Sequence, residues 1–365
     1  MKKILWLTES WSFDTDKEIV PYLMETKAFD IKWMVFAREG KVDVPESNLY
    51  ELKVRPYISI DIRTFFYYYN ILKKAFKEKY DLVYSSFSGF PFYYPVLYLE
   101  KPSEVPVIYA AHAVIPLSTW TLLTKMMIKV RFSLINHFQM FSKHTARYFH
   151  EHYPNKSYFY APMVIKNFGE VKTDNYKVDV SKVNLLFFGG IASNKRLPML
   201  IDAIKQLPEE VRKKVHLNVC GKCKEDMQGH EDDFMRQIGD CDAITCYFKR
   251  IPDEEIPELF TKHQFLVLPY QNVSQSGPHM IAYYYNLPVI VSDTDGLAER
   301  VVNEKNGFVF KRDDEDALIK TLIKAISMSR EDYCLMKENL KQYSNDNFSK
   351  EVVSKKYIEY FNSIK

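Results

Sequence analysis

Two short segments in the second half of the sequence combine residue types that bind anions. In the first, "GGIASNKRL", Lys195 and Arg196 follow the pair Gly189 and Gly190 and stand just before a helix-length apolar run. The two glycines allow a close backbone approach to a ligand. Cations at a helix start oppose the helix dipole, and a bound anion removes that conflict. A solvated helix start explains the same residues, but the conflict favours an anion site.

The second segment, "NVSQSGPHMIAYYYN", leads from a polar loop into an aromatic helix. Pro278 suits the first helical turn, where the missing N–H costs nothing. Free amides at that turn point at a phosphate or a sugar hydroxyl. Capping by Ser274 or Ser276 explains one serine, but not a run of small and polar residues after a buried strand. We therefore predict that the anion also contacts this loop, at Ser274, Gln275, Ser276, Gly277 and Pro278.

Three further candidate residues lie at the ends of predicted strands. Arg250 and Ile251 come where "ITCYFKR" ends, close to Asp253, which suits the N-cap of a following helix. They line a slot for a nucleotide base or form a plain loop, and the sequence leaves both possibilities open. His112 follows "VIYAA" at the end of a strand, where a structural and a catalytic role are both open.

Apolar runs of strand length alternate with amphipathic runs of helix length in both halves of the chain. In the first half the predicted strands are 2–8, 30–37, 81–87 and 105–113, the helices are 62–80 and 119–137, and 138–154 is a strand followed by a helix. In the second half the strands are 183–190, 214–221, 244–250, 264–270, 287–293 and 307–312, and the helices are 197–208, 253–263, 278–286, 296–306, 315–329 and 348–364. This alternation predicts α/β domains with parallel sheets covered on both faces.

The alternation weakens at 164–182, which we interpret as a linker. The predicted domains are 1–167 and 168–347, with a C-terminal helix at about 348–365. Two successive open sheets predict a cleft between them, and such sheets bind ligands at the carboxyl ends of their strands.

Charge and composition narrow the function classes. Residues 1–167 hold 22 Lys and Arg against 16 Asp and Glu, a net charge of +6, whereas 168–365 hold 28 against 31, a net charge of −3. An excess this small, not clustered along a stripe, argues against nucleic acid as a partner. No run approaches the roughly 20 apolar residues that span a bilayer, and the start "MKKILWLTESW" is too short for a signal peptide. We therefore expect a cytoplasmic protein.

The cysteines Cys220, Cys223, Cys241 and Cys246 have a spacing close to that of a zinc site. Cys220 also ends the apolar run "VHLNVC", where cysteine is a common small buried residue. No Asp-x-Asp metal motif stands in a suitable loop. We expect reduced thiols and no metal.

The predicted helix 119–137 mixes Trp120, Leu122 and Met126 with Lys125 and Lys129. That composition suits the surface of a membrane and a lipid-linked acceptor. Core packing with lysines extended to the solvent explains it as well. Peripheral membrane contact through the first domain is therefore one of two open interpretations.

The series "NLLFFGGIASNKRLPMLIDAI", "FLVLPYQNVSQSG", "YYYNLPVIVSDTDGLAERV" and "NGFVF" resembles the family 4 retaining glycosyltransferases of GT-B fold over roughly 183–330. The resemblance implies two doubly wound Rossmann-like domains that face a cleft. It implies transfer of a sugar with retention from a nucleotide diphosphate donor, UDP- or GDP-linked, to a saccharide or lipid-linked acceptor. The first half is similar only in its element order and in "AAHA", and the final helix is similar to one that crosses back over the first domain.

The same resemblance implies roles for individual residues. Lys195 corresponds to the lysine of a phosphate-binding Arg-x-x-Lys pattern, whose arginine falls at Ala192 here, so that Arg196 is a candidate substitute. "SQSG" corresponds to the loop whose amides meet the diphosphate, and His112 to a histidine that contacts the donor sugar or positions the acceptor.

Many family members carry two glutamates separated by seven residues around this loop, and these positions are Val273 and Ile281 here. The loss leaves a non-catalytic partner subunit of the same fold as an alternative. A nucleotide-sugar epimerase is a second alternative, although no acid/base carboxylate stands in a suitable place.

Overall fold

The computed structural model describes residues 1–9, 12–36, 48–52, 61–87, 92–112, 114–115 and 122–364. The chain divides into two compact units. Unit 1 comprises Met1–Val164 and Lys350–Lys365, and unit 2 comprises Ile165–Ser349. Each unit is an open parallel sheet with helices in the connections. The predicted α/β fold class is therefore confirmed.

Unit 1 contains a seven-stranded sheet in the order β3-β2-β1-β4-β5-β6-β7, with all neighbouring strands parallel. The strands are β1 Lys3–Thr8, β2 Asp30–Phe36, β3 Leu49–Leu52, β4 Leu82–Ser85, β5 Val107–Ala111, β6 His137–Met140 and β7 Ser157–Tyr160. The connecting helices are α1 Phe13–Glu25, α2 Ile62–Ala75, α3 Tyr93–Glu100, α4 Leu122–Leu134 and α5 Lys143–His152. The chain reverses direction across the sheet between β1 and β4, which makes the sheet doubly wound.

Four elements of unit 1 are absent from the sequence prediction: β3, β7 and the helices α1 and α3. Helix α1 contains Pro21 in its interior, which obscures a helical pattern. Helix α3 buries Tyr93, Tyr94, Val96 and Leu97, so that it lacks the polar face that sequence periodicity detects. Both helices form because the sheet offers apolar surface to cover.

Unit 2 contains a six-stranded parallel sheet in the order β10-β9-β8-β11-β12-β13. The strands are β8 Val183–Phe188, β9 Val215–Cys220, β10 Ile244–Tyr247, β11 Phe265–Leu268, β12 Val289–Ser292 and β13 Gly307–Phe310. The helices are α6 Leu197–Lys205, α7 Glu209–Arg212, α8 Glu231–Ile238, α9 Ile256–Lys262, α10 Gly277–Tyr284, α11 Asp295–Ala298, α12 Glu315–Ile326 and α13 Arg330–Phe348. Strand β8 lies between β9 and β11, so the loops that follow these three strands lie side by side.

The segment interpreted as a linker packs against unit 2, although it contains neither helix nor strand. The buried carboxylate of Glu258 accepts hydrogen bonds from the backbone N–H groups of Asn175 (3.0 Å) and Tyr176 (2.7 Å) and from Thr173 Oγ1 (2.6 Å). Lys262 Nζ donates a fourth bond at 2.8 Å. Burial alone would raise the pKa of Glu258, but these donors lower it to about 2.

The last helix, α14 Lys350–Ser363, packs on the sheet of unit 1. Its Tyr357 and Phe361 are buried, and the Tyr357 ring stacks on Trp6 with centroids 5.7 Å apart. Gln139 Nε2 donates a hydrogen bond to Tyr357 Oη at 2.7 Å. The end of the chain is thus part of the core of the first unit.

Candidate functional site

Three loops meet at the carboxyl edge of the unit 2 sheet, and we call them together the three-loop site: residues 189–196 after β8, 221–227 after β9 and 270–278 after β11. Backbone hydrogen bonds join them. Lys224 N donates to Ile191 O at 2.7 Å, and Gln271 N donates to Asn194 O at 2.8 Å. The edge is where ligands bind in open α/β sheets.

The structure brings Lys195 together with the start of helix α10. A Cβ placed on Gly189 would lie 3.4 Å from Lys195 Nζ and 3.3 Å from Pro278 Cγ. Gly189 has a φ of +106°, which residues with a side chain rarely adopt. The Lys195 ammonium also lies 5.1 Å from the centre of the Tyr270 ring. Glycine at 189 therefore allows a lysine ammonium group and the first turn of a helix to come close to the same point of the backbone.

The charges around Lys195 and Gly189 favour the binding of an anion. Burial, and after it the positive charge of Lys224, lowers the pKa of Lys195 to about 8. The dehydrated charge of Lys195 and the exposed charge of Lys224 repel each other. A bound anion offsets that repulsion and restores the ordinary pKa.

Helix α10 begins as the sequence predicts. Ser276 is the N-cap, and its Oγ accepts a hydrogen bond from His279 N at 3.4 Å, while Gly277 and Pro278 occupy the first turn. A Cβ on Gly277 would lie 3.5 Å from Nζ of Lys166, a largely buried lysine of the segment interpreted as a linker. The ammonium group of Lys166 thus also lies near this helix start.

The preceding loop is held by a close backbone contact. A Cβ on Gly296 would lie 2.1 Å from Val273 O and 2.5 Å from Ser274 C, so only glycine fits there. Ser274 and Gln275 are half-buried at this point. Gly296 follows the "DTD" turn and fixes the position of the loop that leads into α10.

Arg196 is placed differently from Lys195. It has a left-handed φ of +54° at the N-cap of α6, and its guanidinium lies 2.7 Å from Asp313 Oδ1. Gln271 Nε2 donates to the other oxygen of Asp313 at 3.2 Å. The positive charge of Arg196 is therefore already balanced by a carboxylate.

Lys224 is not among the residues predicted from the sequence. A Cβ on Gly190 would lie 2.3 Å from Lys224 Cε, so the lysine side chain runs across this glycine. Its signal in the sequence is its place after β9, equivalent to that of Lys195 after β8. Lys166 carries no such signal.

Arg250 and Ile251 follow β10, the outer strand of this sheet. Ile251 is buried and Arg250 is exposed. The predicted capping by Asp253 is wrong, because Asp253–Glu255 forms a short 3-10 helix and α9 begins at Ile256 without a side-chain cap. The first two residues of α9, Ile256 and Pro257, are buried, and a proline suits the first turn of a helix.

The two positions that correspond to the glutamates of the resembled family are shielded from solvent, one fully and one partly. Ile281 is buried in helix α10, and Val273 is half-buried in the loop before it.

The candidate histidine, His112, belongs to unit 1. It follows β5, and its ring stacks on Phe141 with centroids 4.2 Å apart.

In the part of the chain that the structure describes, no group of three or more His, Cys, Asp or Glu residues is arranged to hold a metal ion. The five cysteines are free thiols, and burial raises the pKa of Cys246 to about 12. Among the described residues, no helix combines the length and the apolar character needed to cross a membrane.

Comparison with solved structures identifies the fold as GT-B. Sucrose-phosphate synthase from Thermosynechococcus elongatus is similar with a TM-score of 0.76 and 14% identity, over 99% of each chain. HepE from Anabaena in complex with UDP and glucose has a TM-score of 0.73 and 16% identity, over 100% of each chain. WaaG, a glycosyltransferase involved in lipopolysaccharide biosynthesis, has a TM-score of 0.68 and 15% identity, over 98% of this chain and 99% of WaaG.

Sequence comparison adds a family match in unit 2. Residues 171–345 match the model of the glycosyl transferases group 1. A search of curated proteins finds no match. The structural neighbours show that the chain has the GT-B fold, and the family match lies within unit 2.

Proposed function

We propose that the protein transfers a sugar from a nucleotide diphosphate donor to a saccharide or lipid-linked acceptor, with retention of anomeric configuration. One observation carries the proposal: Lys195 Nζ and the first turn of α10 come together beside the backbone of Gly189. Breaking the bond between sugar and phosphate leaves a diphosphate whose negative charge grows in the transition state. Positive groups and amides fixed around that charge lower the barrier.

The donor nucleotide in this proposal is UDP- or GDP-linked. HepE, which has the same fold, forms complexes with UDP and glucose together and with UDP-glucose. In the present chain the diphosphate would contact Lys195, the backbone at Gly189 and Gly190 and the amides of Ser276 and Gly277. Arg250 and Ile251 remain candidates for the base, and His112 remains a candidate for the donor sugar or the acceptor hydroxyl.

Lysine side chains supply the positive charge in this proposal, and no metal or other cofactor is required. We place the enzyme in the cytoplasm, in polysaccharide biosynthesis. The alternative of a partner subunit without catalysis follows from the apolar residues at Val273 and Ile281. The alternative of an epimerase shares the fold but needs an acid/base carboxylate at the reacting sugar.

Titration calorimetry with UDP, GDP and ADP tests the proposal, and we expect clear binding of one of them. The corresponding nucleotide sugar, incubated without acceptor, should release nucleoside diphosphate slowly, and EDTA should not stop the release. An epimerase would instead return an isomeric donor that is still intact. Absence of binding to all three nucleotides would leave the partner subunit as the better explanation.

We further propose that helix α4 brings unit 1 to the inner surface of a membrane. Leu122, Met126 and Val130 are exposed at intervals of four residues, and the exposed Lys125 and Lys129 lie between them. Helix α4 contains no acidic residue. An apolar stripe flanked by lysines binds anionic lipid through both burial and charge. Trp120, another residue of the predicted helix, lies outside the described residues.

Co-sedimentation with vesicles tests this contact. The protein should bind vesicles that contain phosphatidylglycerol and bind pure phosphatidylcholine weakly. Met126→Glu with Lys129→Glu should abolish binding, whereas Lys341→Glu, on an exposed face of α13, should not. If both variants lose vesicle binding equally, the binding depends on net charge alone and the proposed role of α4 is overturned.

A further inference from the structure

We infer that Lys224, and not Arg196, binds the diphosphate together with Lys195. The absence of a side chain at Gly190 leaves the room that Lys224 occupies. The inference rests on the proposed function and refines its residues. The sequence predicts a pair formed by Lys195 and its neighbour along the chain. The structure instead offers a lysine from the adjacent strand's loop.

The side chain of Lys224 occupies the space that any side chain at residue 190 would need. A Cβ on Gly190 would lie 2.3 Å from Lys224 Cε, 3.1 Å from Cδ and 3.2 Å from Cγ. Three successive carbons of the lysine thus run along the bare face of this glycine. Glycine at 190 is required by this close approach.

Backbone hydrogen bonds fix the point from which Lys224 extends. Ile191 N donates to Lys222 O at 2.9 Å, and Lys224 N donates to Ile191 O at 2.7 Å. The two bonds form an isolated parallel bridge between Ile191 and Cys223. The loop after β9 is therefore held in register with Gly190, and only the lysine side chain remains to adjust to a ligand.

Charge distinguishes the two candidate cations. Arg196 is 2.7 Å from the carboxylate of Asp313. Among the ion pairs formed by the side chains that the structure describes, neither Lys195 nor Lys224 has a carboxylate partner. The charge of Lys224 is close enough to lower the pKa of Lys195. A diphosphate between these two ammonium groups replaces a repulsion by two attractions, whereas at Arg196 it must compete with Asp313.

Calorimetry with the nucleoside diphosphate that the wild type binds best tests the assignment. Lys224→Ala should weaken binding about tenfold or more, as expected for a charged hydrogen bond. Arg196→Ala should change the affinity less than about twofold. Lys222→Ala, which removes an exposed lysine of the same loop, is the matched control and should leave it unchanged.

Substitution of Gly190 provides an independent test. Gly190→Ala should displace the Lys224 side chain from Cγ outwards, and so weaken binding while the melting temperature stays nearly constant, because this side chain is exposed. Gly190→Lys in the Lys224→Ala background should recover most of the affinity, because it delivers an ammonium group to the same space from the other loop. A general loss of folding would not be rescued in this way.

The outcomes separate this inference from the proposed function. If the nucleotide binds to the wild type and to Lys224→Ala equally, but not to Arg196→Ala, the assignment is overturned while the nucleotide site stands. If the wild type binds no nucleoside diphosphate, both are overturned. Loss in Lys224→Ala with rescue by Gly190→Lys supports both.

Discussion

The carboxyl edges of the two sheets carry buried polar groups that find their partners in opposite ways. In unit 1, Asp16 is buried beside the ends of β1 and β4. Its Oδ2 accepts hydrogen bonds from Thr8 Oγ1 at 2.6 Å and Ser86 Oγ at 3.2 Å. Thr8 Oγ1 in turn accepts a bond from Trp33 Nε1 at 2.8 Å. This cluster satisfies itself within the protein.

The three-loop site of unit 2 holds two lysines, Lys195 and Lys224, whose charges oppose each other. A chain gains no stability from such an arrangement by itself. The same edge of the same kind of sheet therefore carries a closed polar cluster in unit 1 and, under the proposed function, the ligand site in unit 2. The two edges differ in whether their polar groups pair with one another as donors and acceptors within the protein.

The largest effect on stability should come from Glu258 of unit 2, whose carboxylate has all its hydrogen-bond partners within the protein. Glu258→Ala leaves the Thr173 hydroxyl and the backbone N–H groups of Asn175 and Tyr176 without their acceptor and should lower the free energy of unfolding by about 4 kcal/mol. Such a loss would show that stability depends on whether a buried polar group has hydrogen-bond partners, and not on which unit contains it. Urea unfolding measures it.

The more conservative Glu258→Gln tests the pH dependence. The pKa of Glu258 is lowered in the fold, so its contribution is present above its ordinary pKa of 4.5 and is lost as the pH falls towards about 2. The variant should show a flatter loss of stability in this range. An unchanged acid profile would remove Glu258 as the anchor of residues 173–176.

Asp16→Ala should have the next largest effect, a loss of about 3 kcal/mol of unfolding free energy, because it leaves the buried Thr8 hydroxyl without an acceptor and removes one partner of Ser86. Asp14→Ala, two residues earlier at a more exposed position, should cost little. Nucleotide affinity should be the same in both variants. A loss of affinity in Asp16→Ala alone would contradict the view that this cluster serves structure.

Lys195→Met should produce the reverse pattern. We expect the affinity for nucleoside diphosphate to fall about 30-fold, corresponding to about 2 kcal/mol, while the melting temperature stays the same or rises. Stability should not fall, because the change removes a dehydrated charge beside Lys224. Calorimetry and thermal unfolding of the variant, with Lys222→Met as control, give both quantities. Reduced stability with full affinity would make Lys195 a structural residue.

The smallest effect concerns pH. Since the pKa of Lys195 is about 8 in the free protein, its ammonium form prevails below that pH and binds the anion. The affinity should therefore be level below about pH 7 and decline as the pH rises above 8. Lys195→Met should lack this decline. The same decline in both proteins would assign it to another group.

The elements that sequence reasoning located best were those with a clear apolar period. Strand β8 and helix α12, for example, begin within the predicted segments 183–190 and 315–329. Helix α3 was missed because its buried aromatic residues have no polar face. The segment 164–182 was interpreted as a linker because it is polar, yet Glu258, far along the chain, holds it against unit 2.

The site shows the same division between local and distant information. Ser276 as the N-cap and Pro278 in the first turn of α10 follow from local chemistry. The pairing of Arg196 with Asp313 does not, because nothing near Arg196 in the sequence indicates that carboxylate.

The alternation of strand-length and helix-length runs was enough by itself to determine two parallel α/β units, because burial on both faces of a sheet imposes that pattern. It also determined that cations and glycines follow β8 and that a helix begins after Ser276. Only the tertiary structure decided which cation stays available for a ligand. The order of strands sets β9 beside β8. That contact, and the lack of a side chain at Gly190, bring Lys224 close enough to Lys195 for their charges to interact. Coulomb interactions depend on distance in space, and a sequence records only distance along the chain.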